Sequence, residues 1–263
     1  MKHTRIISVF LALVLILSTL TACSRTPEEL VANADKALSK KPYTVEIEVD
    51  YYSANSTVSG IFEQLERLDS DVYVDGKDIK AVSDLSINDG DTENRFLNVY
   101  TVKDGVVYLY TEYHTGEYKQ EFKNKAVTDE ANTKLLMNDI FIIGDISIAD
   151  FSTVTLEKRD GENVIVCTGV SESRLISLEK ALAKQMESTS EGIKADKVEM
   201  TIEIDGGKYD TITVKCDYTV TIQGVKYPVS MSVELEFDYD ERFEITSPAD
   251  ANEYSYVNID QML

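Results

Sequence analysis

The last long apolar pattern of the chain sets the terms for its fold. Val225, Tyr227, Val229, Met231, Val233, Leu235, Phe237 and Tyr239 alternate without a break against Lys226, Pro228, Ser230, Ser232, Glu234, Glu236 and Asp238. Successive side chains of a strand point to opposite faces, so these fifteen residues predict one strand roughly 50 Å long with a dry face and an acidic, wet one. Pro228 has no N–H to give a ladder, so that point is expected at an edge or a bulge.

The same period recurs upstream. Tyr43, Val45, Ile47, Val49 and Tyr51 alternate with Thr44, Glu46, Glu48 and Asp50. Ile212, Val214, Cys216, Tyr218 and Val220 share one face of another long strand, and Val198, Met200, Ile202 and Ile204 one face of a third, which turns at Gly206-Gly207. Asp104-Gly105 predicts a hairpin between 96–103 and 106–113, and Thr115-Gly116 a second before 117–123. Asp160-Gly161 joins 152–159 to 162–170 in the same way. Val72-Tyr73-Val74 and the series Ile79, Ala81, Leu85, Ile87 suggest two further strands, while 60–68 reads as strand or helical turn, with strand preferred.

Three stretches follow the helical period instead. Thr26-Pro27-Glu28-Glu29 is a capping box with proline at the first helical position. Leu30, Val31, Ala34 and Leu38 then mark one face of a helix to about Ser39, and Lys40-Lys41-Pro42 closes it. Thr128 is placed to cap a second helix from Asp129 to about Ile143. Its later half, Leu135-Leu136-Met137 and Ile140-Phe141-Ile142-Ile143, is apolar nearly all round and so expected to be buried on more than one side. Ser171 opens a third, with the stripe Leu175, Leu178, Leu182, Met186. About eleven strands and three helices with hairpin connections make an antiparallel α+β fold. No Ser- or Gly-rich linker divides it, which points to one domain; helix followed by acidic strand at 27–51 and 172–205 hints at an internal repeat.

At the N-terminus, Lys2 and Arg5 precede an apolar run from Ile6 to Leu20 that ends in Leu20-Thr21-Ala22-Cys23. A cationic start, an apolar core and small residues before a cut describe a secretory signal. A cut before cysteine resembles the lipobox of bacterial lipoproteins, which implies that Cys23 carries diacylglycerol on its sulfur and begins the mature chain. An uncleaved anchor is the alternative, but fifteen apolar residues fall short of the roughly 20 a span needs. The expected plan is a signal segment at 1–22, the lipidated cysteine and a short tether at 23–26, and a single domain at 27–263. Residues 24–26 reach roughly 10 Å. The domain would then rest close against the outer face of the cytoplasmic membrane, extracytoplasmic and lipid-anchored.

The whole chain carries a formal charge of −21, and its mature part, with 24 basic against 47 acidic residues, −23. A surface so negative repels phosphate, which argues against nucleic acid as a partner, and predicts no basic patch to assist the anchor at anionic headgroups. Cys167 and Cys216 fall inside strand-like runs. With one strand between theirs they stand roughly 9.6 Å apart, beyond the about 7 Å of a bridge, so free buried thiols are expected. Neither their spacing nor the acidic run Asn88-Asp89-Gly90-Asp91-Thr92-Glu93 fits a metal motif, and no cofactor is implied. The mature chain has one histidine, His114, read as a solvated turn residue that offers no partner for a nucleophile triad, and nothing marks an enzyme.

The lipobox, the Thr26-Pro27-Glu28-Glu29-Leu30 helix, the Tyr43-Thr44-Val45 strand, the Asp104-Gly105-Val106-Val107-Tyr108 hairpin and the closing Ile245-Thr246-Ser247-Pro248-Ala249-Asp250-Ala251 together resemble the LolA/LppX-like lipoproteins of Gram-positive bacteria. The resemblance implies a strongly curved antiparallel half-barrel with helices on its concave face, a concavity that carries lipids or lipoprotein acyl chains in members of known role. It assigns no ligand residue beyond the lipid attachment at Cys23. Read from the residues, one apolar strand face repeated many times with three helices to cover it leaves room for an apolar ligand. Leu135, Leu136 and Ile140 on the second helix and Met200 and Met231 on the long strands are the candidate contacts. That helix reads as ordinary core in preference to the alternative, a gate for a lipid-like ligand. The other functional reading is an interaction module that acts on a neighbouring membrane or wall protein through the acidic face.

Overall fold

A computed structural model describes residues 25–53, 65–88, 93–140, 146–185, 192–222 and 224–259. The signal segment with Cys23, residues 60–64, the acidic stretch 89–92 and the end of the second expected helix at 141–143 lie outside the described residues.

Helix α1 (Pro27–Leu38) leads into β1 (Tyr43–Tyr52), followed by β2 (Leu65–Asp75), β3 (Asp78–Asn88), β4 (Glu93–Lys103), β5 (Val106–Thr115) and β6 (Tyr118–Val127). After α2 (Glu130–Ile140) come β7 (Phe151–Arg159), β8 (Glu162–Val170), α3 (Glu172–Gln185), β9 (Ile193–Asp205), β10 (Lys208–Ile222), β11 (Val225–Asp238) and the short β12 (Ser255–Tyr256). All twelve strands belong to one open sheet in the order β12-β6-β5-β4-β3-β2-β1-β11-β10-β9-β8-β7. Every pairing is antiparallel except β12 on β6. The chain thus builds one meander outward from the centre, crosses to the far edge, and builds a second meander back. Its first and last long strands meet at Val45↔Phe237, Ile47↔Leu235 and Val49↔Val233.

Strand twist accumulates, and open sheets beyond about ten strands curl. Breaks in register at Leu65/Leu68 between β2 and β3, and at Tyr209/Ile212 and Asp217/Tyr218 between β10 and β9, add local bends. The result is a curved antiparallel half-barrel with three helices.

The helices sit on one face of it. Leu30 and Ala34 of α1, Leu136 of α2 and Leu178 of α3 join the same buried cluster as Val45, Ile47, Val72, Ala81, Val214, Met200 and Ile165 of the sheet. The capping box holds α1 as expected, with the Glu29 amide donating to Thr26 Oγ1 at 3.3 Å and the Thr26 amide to Glu29 Oε2 at 3.1 Å. On α2 the cap is Asp129 rather than Thr128: Asp129 Oδ1 accepts the Asn132 amide at 2.8 Å. Two polar clasps fix helices to strands. The Tyr209 hydroxyl donates to Asp35 of α1 at 2.7 Å, and the Ala195 amide of β9 donates to Glu179 of α3 at 3.0 Å.

Residues 241–256 cross the opposite face. Phe243 meets Tyr73 edge-on at 5.2 Å, Tyr254 meets Tyr108 at 5.5 Å, and Lys123 binds Asp250 at 2.5 Å and Glu253 at 2.8 Å. This return strap ends as β12 and shields the β6 edge, a place where an unpaired strand invites aggregation. Pro228 lies beyond Tyr52↔Ser230, where the described β1 ladder ends, which is the local edge its chemistry requires. Cys167 and Cys216 are buried and free, on β8 and β10 with β9 between.

Ile47 is fully buried at the central seam. Ile47→Ala is expected to cost about 2–5 kcal/mol through lost burial and a residual cavity, read as a lowered urea midpoint. A change below about 1 kcal/mol would mean that the seam is not the cooperative centre of the fold.

Candidate functional site

The apolar face is built by register. Tyr51 stands opposite Met231, Met231 opposite Cys216, Val214 opposite Met200, and Met200 opposite Cys167, so both candidate methionines lie on the same face. They are 4% and 3% exposed, and Leu136, 2% exposed, reaches the same cluster from α2. Three of the five candidate contacts therefore share one continuous apolar surface. Leu135 does not join them: it is 53% exposed, so only Leu136 of the adjacent pair faces the sheet. Ile140 is the last residue of α2, and its side chain lies outside the described residues.

Two buried hydroxyls, those of Tyr218 and Tyr239, have no partner among the described residues, and that of Tyr218 lies deepest on this face. Tyr218 is 1% exposed, between Cys216 and Val220, and its hydroxyl makes no hydrogen bond among the described residues. Burial, with Tyr51 and Cys216 nearby, pushes the phenol up, so it stays protonated and able to donate. An orphaned buried hydroxyl is a small defect in the core, and native cores hold few of them. The sequence signal was a tyrosine in the dry register of β10. Its hydroxyl could donate to an ester or carboxyl oxygen of a ligand lying along the face. The buried thiols beside it are pushed up by burial to about 11 for Cys167 and about 12 for Cys216, which makes them inert packing groups rather than nucleophiles. In the ligand-free chain Tyr218→Phe is expected to raise stability by about 1–3 kcal/mol, the desolvation cost of the unpaired hydroxyl, by urea titration. A loss of stability would reveal a partner for that hydroxyl.

The outer face is acidic at its centre. Glu46 stands opposite both Asp71 and Glu236, and Glu48 opposite Glu234. Like charges directly opposite one another on a sheet are unfavourable. A depression of about 310 Å³ opens among Glu46, Asp71, Tyr73, Glu236, Asp238 and Glu241. Glu162, Glu203 and Asp210 form a second acidic cluster across β8, β9 and β10, with carboxylate oxygens within 4.8 Å of one another. The Glu162 carboxyl is raised by burial first, then by Asp210, Asp205 and Glu203.

His114 is placed differently from its expected turn. It belongs to β5, opposite Lys119, and its ring binds Glu112 two residues back on the same face. Glu112 is a hub: Lys119 reaches it at 2.8 Å, Tyr110 and His114 also bind it, and its side chain is 14% exposed. Lys119 foremost, then Tyr110 and His114, hold its carboxyl down at about 2 from an ordinary 4.5. The folded chain therefore takes up this proton later than the unfolded one. The stabilisation is complete above pH 4.5 and is lost as pH falls toward 2. In Glu112→Gln that part of the acid-induced loss should vanish, as the difference between the two urea-stability profiles across this window; parallel profiles would show that the hub contributes nothing.

No family model matches the chain, and no curated protein matches it. Among solved structures it is similar to LprF from Mycobacterium bovis, at 14% identity and a TM-score of 0.40 over 86% of this chain and 100% of that one. It also overlaps an N-terminal dehydratase from the difficidin assembly line, at 9% identity and a TM-score of 0.18 over 79% of this chain and 82% of that one. The strand order itself, rather than either likeness, defines the fold. No helix among the described residues is long and apolar enough to cross a membrane.

Proposed function

We propose that this chain is an extracytoplasmic lipoprotein, anchored through acyl chains on Cys23, that binds a lipid or other apolar molecule on the inner face of its curved sheet. The observation that carries the ligand is one continuous apolar face covered by three helices, with the donor hydroxyl of Tyr218 buried on it and unpaired. An acyl chain satisfies the face, and an ester or carboxyl group satisfies the hydroxyl. Met200, Met231 and Leu136 are the contacts that this reading retains. Methionines suit such a surface because their unbranched side chains repack around different shapes. The anchor rests on the Leu20-Thr21-Ala22-Cys23 stretch and the three-residue tether to α1. Two acyl chains at about 0.8 kcal/mol per buried CH₂ make it effectively permanent.

A second reading has its own observation. The facing carboxylates Glu46, Asp71 and Glu236 at the centre of the outer face suit a cationic protein surface, and the chain would then be a filled module that modulates a neighbour at the membrane or wall.

Solvent extraction of the purified chain followed by mass spectrometry separates the two. An acyl-containing molecule released in near-equal amount to protein, besides the lipid on Cys23, is the expected result. An empty extract, together with a salt-sensitive protein crosslink, would favour the module. Independently, Cys23→Ala should move the chain from the membrane to the soluble fraction; retention on the membrane would remove the anchor from the proposal.

A further inference from the structure

We infer that the end of α1 forms a binding site for a phosphate-type oxyanion, held by Lys36, Lys40, Lys41 and Lys208. A depression of about 220 Å³ opens there, and its polar lining is these four lysines with Asn33 and Tyr239. No carboxylate lines it. In a chain with 47 acidic against 26 basic residues, a cationic lining free of acid runs against composition. Some lysines elsewhere are neutralised locally, as Lys119 is by Glu112 and Glu121 and Lys123 by Asp250 and Glu253. None of the four lysines at this depression has an ion pair among the described residues.

Four ammonium groups that share the lining of one depression repel one another, and a divalent oxyanion between them would reverse the sign of that energy. Every polar side chain of the lining can donate. The lysines offer three N–H each, Asn33 its amide, and Tyr239 a hydroxyl that makes no hydrogen bond of acceptable geometry. Burial first, with Tyr43 and the Asp210 carboxylate nearby, pushes the Tyr239 phenol up to about 12 while the Tyr209 amide pulls the other way, so the group keeps its proton. Lys208 is held over the Tyr239 ring at 4.7 Å, which sets one ammonium in place.

Compensation of the helix dipole accounts for a lysine in the last turn of α1 and for those just beyond it. It does not account for Lys208, which arrives from β10, or for Tyr239 beneath it. The carboxylate next to Lys36 on the helix is already engaged: Asp35 accepts the Tyr209 hydroxyl at 2.7 Å. At about 220 Å³ the depression is smaller than the roughly 300–1,000 Å³ of sites that enclose drug-sized ligands, and it suits a small charged group rather than an acyl chain.

Two sources supply that chemistry: free phosphate, or the phosphodiester of an anionic lipid headgroup. The site does not rest on the apolar-ligand proposal and survives its failure. Calorimetric titration of the full chain with inorganic phosphate and with glycerophosphoglycerol, at constant ionic strength in chloride, tests it. Saturable binding of either is expected, weakened at least tenfold in the Lys40→Gln/Lys41→Gln/Lys208→Gln variant and by a smaller factor in Tyr239→Phe, with unchanged thermal melting. Tighter binding of inorganic phosphate assigns a free anion, and tighter binding of the diester a headgroup. Absence of saturable binding for both, or equal binding by the triple variant, overturns the site.

Discussion

The pairing of β1 with β11 is the contact on which the architecture depends. Each meander alone is an antiparallel sheet with two open edges, and the residues that begin and end the sheet are far apart along the chain. At the seam, Val45, Ile47 and Val49 stand beside Leu235 and Val233, each at 2% exposure or less. Closing it completes a single dry face from β6 to β7. It also fixes where the connecting segment must run. A flat sheet would hold β6 and β7 ten ladder spacings apart, roughly 48 Å. The connection has an 11-residue helix, roughly 17 Å long, and twelve further residues that extend at most about 42 Å. On a flat sheet it would be nearly taut. Curvature relaxes it and lets α2 settle with Leu136 on the inner face.

The two faces solve different problems. The inner face is buried by helices, and its register admits few polar atoms. The outer face stays wet and carries carboxylates in facing positions, which weakens pairing at the centre, where burial underneath is strongest. The C-terminal strap offsets part of that cost. It brings Phe243 onto Tyr73 beside the acidic patch, then places Asp250 and Glu253 on Lys123, near the sheet edge. Charge therefore follows position. Basic residues of β6 meet the strap, whereas the lysines at the end of α1 make no ion pair among the described residues. The net charge of the chain conceals that segregation, because an average over composition carries no information on which lysines are brought together.

Strand period and turn chemistry carried most of the fold. Asp104-Gly105 and Asp160-Gly161 sit in the hairpins their residue types call for, and both aspartates take positive φ, 51° and 50°. The alternation of β11 survives intact. Where the sequence misled, a physical reason can be named. The core side of β9 passes through Ile193, Ala195 and then Val198, a step of three that the shift at Asp217/Tyr218 absorbs, so alternation placed its start too late. Val72-Tyr73-Val74 is only the end of β2, whose earlier residues include Asp69 and Asp71 and lack a long apolar series. His114 reads as a turn residue because Thr115-Gly116 follows it, yet the ladder continues to Thr115↔Tyr118. Among the candidate contacts, period placed Met200, Met231 and Leu136 on the inner face. It could not separate Leu135 from Leu136 where the stretch is apolar on every side. The lysine depression was illegible because Lys36 and Lys208 become neighbours only when α1 packs across β10.

Helix α1 thereby joins three features that sequence alone presents as unrelated. Its N-terminus continues the tether from the expected lipid attachment, its apolar stripe through Leu30 and Ala34 covers the inner face, and its last turn with the residues just beyond it supplies three of the four lysines. The Tyr209–Asp35 hydrogen bond pins it to β10, next to the strand residue that supplies the fourth, Lys208. A rigid helix of 12 residues is roughly 18 Å long, so its two ends cannot move independently. Any rearrangement of α1 that widened the inner face for an apolar ligand would carry Lys36, Lys40 and Lys41 with it and change their distance from Lys208. Conversely, an anion bound among the four lysines would clamp α1 to β10 and hold the inner face covered. If both proposed sites are occupied, their occupancies would be coupled through one helix, and by linkage the coupling would be the same in either direction.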